Sequence, residues 1–100
     1  MKRFFHLAIG GVVLDNPGVQ AIEKGLDAGG AEDWLRQGPY SWFIYSAGEL
    51  TKWRDYLKTT VSSLSTSNAS FILVELDPNT HPMVGYLTPD AWEWFKKPRQ

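Results

Sequence analysis

The sequence predicts a single small α+β sandwich. Strand-like and helix-like segments alternate along the chain, and two helical segments each carry an apolar stripe on one side only. The length of 100 residues, 43% hydrophobic and 21% charged, fits one domain over 1–100 and not two. Folding a chain this short removes only about 60–65% of its surface from water, so the fourteen aromatic residues, five of them Trp, must supply much of the core.

Phe4, Phe5, Leu7, Ala8 and Ile9 make a short apolar run closed by Gly10-Gly11, which reads as a first strand covered on both faces. Lys2 and Arg3 before it superficially resemble the start of a secretory leader. However, His6 and the glycines interrupt the run, no small-x-small site follows, and Asp15, Asn16 and Pro17 stand where cleavage should occur. Residues 4–14 are also too few to cross a bilayer, so a cytoplasmic protein without membrane association is expected. Asn68-Ala69-Ser70 has the form of a glycosylation acceptor but, without secretion, reads as a turn before a strand.

Asn16 as N-cap, Pro17 in the first turn and Gly29-Gly30 as a stop delimit a first helix over about residues 17–28. Val19, Ile22 and Leu26 form its inward stripe, while Glu23, Lys24 and Asp27 face water. Residues 31–37 fit either one helical turn or a short strand, of which we favour the strand, and Gly38-Pro39 ends it. Residues 40–46 contain Trp42, Phe43, Ile44 and Tyr45 in succession, a strand with aromatic side chains on both faces.

Ser46 and Glu49 have the spacing of a capping box, and Leu50, Trp53, Leu57, Val61 and Leu64 follow at steps of three and four as a second helix. Lys52, Asp55 and Lys58 share its polar side, the pattern of an internally paired face. Residues 71–76 read as the next buried strand. Asp77-Pro78-Asn79-Thr80-His81-Pro82 form a turn cluster, and residues 83–87 a brief edge strand. Thr88-Pro89-Asp90 opens a final helix through Trp92, Trp94 and Phe95 to Lys97. Right-handed crossovers in so short a chain leave a ferredoxin-like sandwich as the simplest topology, with two main helices on one sheet face. The apolar residues on the opposite face then need a homodimer partner, or the C-terminal segment folded across, as cover.

Several chemistries are excluded. Zero cysteines remove disulfides, thiolate metal sites and a cysteine nucleophile. No Gly-x-Ser-x-Gly elbow, phosphate-binding lysine loop or dinucleotide turn is present. A net charge of −1 argues against affinity built on neutralising many phosphates. Asp15 after the first strand, Glu75 and Asp77 at the end of the later strand, and His81 are the candidate Mg²⁺ ligands, with Asp15 and Asp77 the catalytic candidates. Converging at one sheet edge they would suit phosphodiester cleavage, although Asp15 and Asp77 each also have an ordinary turn reading. His6 among apolar neighbours reads as a hydrogen-bonded strand histidine. Trp92 and Trp94 cannot both face inward at a spacing of two, so one is expected to meet solvent, a loop or another chain. With Phe43 and Tyr45 they are the candidate partner-binding residues.

The stretch Trp34-Leu35-Arg36-Gln37-Gly38-Pro39-Tyr40-Ser41-Trp42-Phe43-Ile44, then Leu50, Trp53-Arg54-Asp55-Tyr56-Leu57 and Phe71-Ile72-Leu73-Val74-Glu75-Leu76 resemble the SinR-like family. The closing Gly85-Tyr86-Leu87-Thr88-Pro89-Asp90-Ala91-Trp92-Glu93-Trp94 is similar to a tail in some relatives, so the resemblance covers about residues 31–95. That family is in turn similar to the small ferredoxin-like subunit of the CRISPR adaptation complex and to VapD-type ribonucleases. The resemblance implies a ferredoxin-like fold, a homodimer across the open sheet, and a place in defence or mobile-element biology. Metal-dependent nuclease activity in the adaptation subunit is associated with an aspartate ending the first strand, where this chain has Ala8-Ile9-Gly10-Gly11. The expected function is therefore a non-catalytic dimeric module, without cofactor, that binds a protein or nucleic-acid partner. The alternatives are a Mg²⁺-dependent nuclease and an immunity or antitoxin protein.

Overall fold

The structure is a computed structural model that describes residues 2–64, 68–78 and 89–99. Its elements in chain order are β1 (Arg3–Gly10), α1 (Asn16–Ala28), β2 (Ala31–Arg36), β3 (Ser41–Ser46), α2 (Leu50–Ser62), β4 (Ser70–Leu76) and α3 (Pro89–Lys96). The described strands pair in the order β2-β3-β1-β4, each antiparallel to its neighbour. This βαββαβ connectivity with a split central pair is the ferredoxin-like sandwich topology, followed by the expected short C-terminal helix. His81 and the strand expected over 83–87 lie outside the described residues.

β1 is apolar at both parities because it is central, with a neighbour on each edge and cover on each face. Phe5, Leu7 and Ile9 point to the helices and join Trp42 and Ile44 of β3, Ile22 and Leu26 of α1, and Trp53, Leu57 and Val61 of α2 in one core. The cross-strand register sets Phe5 beside Ile44 and Leu7 beside Trp42. The tryptophans of this layer keep their N–H groups satisfied at its rim. Trp42 Nε1 donates to Glu23 Oε2 at 3.2 Å and Trp34 Nε1 to Asp27 Oδ1 at 2.8 Å. Glu23 and Asp27, expected only to face water, thus tie α1 to the sheet.

Both helix starts differ in detail from the expectation. Asp15, not Asn16, is the N-cap of α1: its backbone is extended and its Oδ1 accepts from Gly18 N at 2.9 Å, which moves Pro17 to the second helical position. Proline is equally tolerated there, because first-turn N–H groups have no intrahelical acceptor. α2 lacks the capping box. Glu49 is its N-cap without a side-chain hydrogen bond, because Ser46 still belongs to β3 and points into the core like Trp42 and Ile44. The expected pairing across Lys52, Asp55 and Lys58 is also replaced, since Asp55 pairs with its neighbour Arg54 at 3.0 Å.

Gly25, a weak residue for a helix interior, sits where α1 meets α2. A Cβ there would lie 3.1 Å from the Thr60 methyl, so the glycine permits the close approach. At Gly30 the φ of 101° turns the chain from α1 into β2 through a conformation that favours glycine.

Candidate interaction surface

The sheet face away from α1 and α2 carries Asp33 and Leu35 of β2, Phe43 and Tyr45 of β3, Phe4, His6 and Ala8 of β1, and Ile72, Val74 and Leu76 of β4, as the pairing registers require. α3 lies across one half of this face. Ala91 and Phe95, four residues apart, are its buried residues. The Phe95 ring packs 4.8 Å from that of Phe43 and 5.2 Å from that of Phe4, and Trp94 packs 5.5 Å from Phe4. Of the two covers that the sequence left open, the C-terminal segment provides this one.

Beyond the helix, Arg99 completes the seal. Its guanidinium carbon lies 4.5 Å from the Trp94 ring centre, 4.8 Å from Tyr45 and 5.4 Å from Phe4, close enough for cation–π attraction. Arg99 Nη2 donates to Asp33 Oδ2 at 3.0 Å, and Lys97 Nζ reaches the same oxygen at 3.4 Å. Burial by itself would push the Asp33 carboxyl up. The hydrogen bond from Arg99, with the charges of Lys97 and Arg99, outweighs that and holds it below its ordinary value. Trp94 Nε1 and Arg99 Nε are buried without an acceptor among the described residues, so apolar and cation–π contact, more than hydrogen bonding, holds α3 in place.

The other half of the face is different. His6, half-buried, has its ring 5.0 Å from that of Phe43, and burial pushes its imidazole below the ordinary histidine value. Past it, Ile72 is 63% and Val74 46% exposed. β4 was expected to be a buried strand; among the described strands it has a neighbour on one side only, and its helix side is partly buried through Phe71 and Leu73. Its pairing with β1 runs without a bulge from Phe4↔Leu76 to Gly10↔Ser70, and Glu75 is its single charged residue. Edge strands are ordinarily blunted by charge, proline or a bulge. The opposite edge is: β2 carries Glu32, Asp33 and Arg36 and an irregularity between Ala31 and Asp33. Beside β4 runs a shallow groove lined by Leu50, Arg54 and Lys58 of α2 and by Phe71, Ile72 and Leu73.

The remaining sequence candidates fall as follows. Phe43 is buried and Tyr45 half-buried, both under the α3 segment, while Trp92 and Trp94 flank the buried Phe95 and are each half-buried. Asp15, Glu75 and Asp77 do not converge. β1 and β4 are antiparallel, so Asp15, beyond the end of β1, lies at the Gly10–Ser70 end of the sheet, and Asp77 lies at the Phe4–Leu76 end. Six residues of strand, about 20 Å at 3.4 Å per residue, separate these ends. Asp15 is engaged as the α1 cap, and Glu75 Oε1 lies 3.5 Å from Arg3 Nη1. Among the described residues no group of three or more His, Asp or Glu side chains is arranged to hold a metal ion. No described helix is long and apolar enough to cross a membrane.

Sequence reasoning passed over Ile72, Val74, Asp33 and Arg99. The first two sit in a run apolar at both parities, which signals a doubly covered strand and gave no hint of an edge. Arg99 and Asp33 are 66 residues apart, and no local spacing relates them. No protein-family model matches the chain, nor does any curated protein or solved structure.

Proposed function

We propose that this chain is a non-catalytic, dimeric interaction module of the SinR-like type, acting in defence or mobile-element biology, whose protein-binding surface is the uncovered half of the sheet face. The observation that carries this reading is the pair Ile72 and Val74, exposed on one face of β4, a strand that pairs without a bulge and has a neighbour on one side only among the described strands. Apolar side chains in such a position gain from being covered by a protein surface. The partner is a protein and not a nucleic acid because the two most exposed residues of this surface, Ile72 and Val74, are aliphatic and the chain's net charge is −1. The engagement of Asp15 as a helix cap and of Glu75 by Arg3 supports a non-catalytic role.

Capture from native lysate tests the reading, with immobilised wild type and Ile72→Lys compared before and after nuclease treatment. A protein retained by the wild type after nuclease treatment and lost from Ile72→Lys is the expected result. The reading is overturned if the wild type cleaves RNA or DNA in Mg²⁺ and Asp15→Asn, which preserves the cap chemistry, abolishes the cleavage.

A further inference from the structure

We infer that α3 is a displaceable cover, and that the aromatic half of the sheet face beneath it is a docking site for an amphipathic helix of a partner protein. That helix presents an aromatic side chain to Phe4 and Phe43 and a cation to Asp33. This deepens the interaction reading above by naming the partner's chemistry, and rests on it.

The face is continuous. The registers place Phe43 beside His6 and His6 beside Val74, so the aromatic ground under α3 passes into the exposed aliphatic ground of β4 with only His6 between them. By itself the exposed part is small. Ile72 and Val74 are the large apolar side chains it offers, whereas a stable complex engages about 20–30 residues a side. A partner seated on Ile72 and Val74 therefore gains by extending over Phe43, Phe4 and Tyr45, and α3 stands in its way.

The present cover shows what fits there. α3 spans eight residues, buries Ala91 and Phe95 and leaves Trp92 and Trp94 half-buried. A helix this short does not persist alone in water, so it is held by the face it covers. Its seal consists of the Phe95 ring on Phe43 and Phe4, the Arg99 cation over Tyr45 and Phe4, and the ion pair with Asp33. Another helix can offer all three with an aromatic residue followed, four positions on, by an arginine. The Asp33 side chain is 28% exposed and its carboxyl is held ionised, so it is reachable from solvent. Lifting α3 takes Lys97 and Arg99 from that carboxylate, and a partner without a cation would leave it unpaired beside aromatic rings. The site thus selects a cationic aromatic helix over a merely apolar one. α3 itself fits imperfectly, since Trp94 Nε1 and Arg99 Nε are buried without an acceptor among the described residues. Its advantage is covalent attachment, equivalent to a concentration on the order of millimolar. An outside helix meets the site only in the open fraction of molecules, and its apparent affinity scales with that fraction.

The probe is a fluorescein-labelled peptide with the sequence of residues 89–99, titrated with the full chain and followed by fluorescence anisotropy. Arg99→Gln weakens the chain's own latch while the peptide keeps its arginine, so the peptide's apparent dissociation constant should fall at least about fivefold relative to wild type. Adding Asp33→Asn to that variant should raise it again by about threefold or more, and a peptide carrying Phe95→Ala should not bind measurably. A second measurement uses the wild type alone. In a millimolar excess of unlabelled peptide, the amides of α3 should exchange faster with solvent while those of β1 and β3 keep their protection. This measurement decides by itself if circular dichroism shows either variant to be unfolded. Equal binding, or none, to wild type and Arg99→Gln overturns the inference, as does binding indifferent to Asp33 and Phe95, or α3 exchange unchanged by the peptide. If a protein is still captured from lysate through Ile72 after such a result, the interaction reading stands and its surface is confined to the exposed half. Mg²⁺-dependent cleavage abolished by Asp15→Asn removes that reading whatever the peptide does.

Discussion

Ser46 shows how much one hydroxyl can organise. It is 1% exposed, donates to the Gly30 carbonyl at 3.0 Å, and accepts from Gly48 N at 2.9 Å and Trp53 Nε1 at 3.1 Å. One donor and two acceptor positions are all a serine hydroxyl has, and all are used. It thus joins the end of β3 to the α1–β2 turn and to the buried tryptophan of α2. Ser46→Ala should cost about 2–4 kcal/mol in urea denaturation, because it strands the buried indole N–H as well as the Gly48 amide. The sequence revealed the importance of Ser46 but not its job. Its spacing to Glu49 suggested a helix cap, whereas its place at the end of β3, on the same face as Trp42 and Ile44, turns the side chain inward. Tyr45, one residue earlier, faces the other way and meets Arg99.

At the scale of elements, α3 is held to the sheet by a few aromatic and cationic side chains. Its cover of Phe4 and Phe43 rests on Ala91, Phe95 and Trp94, locked by Arg99 from beyond its C-terminus. Arg99→Gln removes both the cation above three rings and the charged half of the Asp33 pair, a loss of about 1–3 kcal/mol. The expected result is faster hydrogen exchange throughout α3 with unchanged protection in β1 and β3; equal acceleration everywhere would mean that α3 is integral to the global fold. The main elements were legible from the chain because each had a local physical signal: the three-and-four stripe of α2, the glycine stops of α1, the aromatic run of β3. The resting place of α3 had none. Its stripe showed that it packs, while its contact partners are set by residues some 50 to 90 positions away.

Taken as a whole, the molecule should lose stability on acidification in two windows. The His6 imidazole has a folded value below its ordinary 6.5 because burial penalises the cation, so the unfolded chain binds the proton first. Its contribution is complete above pH 6.5 and declines as the pH falls below it. The Asp33 carboxyl is held below its ordinary 3.8, so its contribution persists down to that value and is lost as the pH falls on through the folded value. Denaturant titrations across this range should show both declines, with His6→Gln flattening the upper and Asp33→Asn the lower. A profile unchanged by either variant would contradict these assignments. The same division between local and distant causes runs through the protein. The sequence by itself determined the α+β class, the order of the elements and the residues of the helix-covered core, because periodicity and turn chemistry act over a few neighbouring residues. The tertiary structure alone decided that Asp15 and Asp77 lie at opposite ends of the sheet, that Arg99 finds Asp33, and that β4, the end strand among those described, leaves Ile72 and Val74 exposed. Strand order and antiparallel direction assign neighbours across the whole chain, and no local pattern encodes which face or edge is left open.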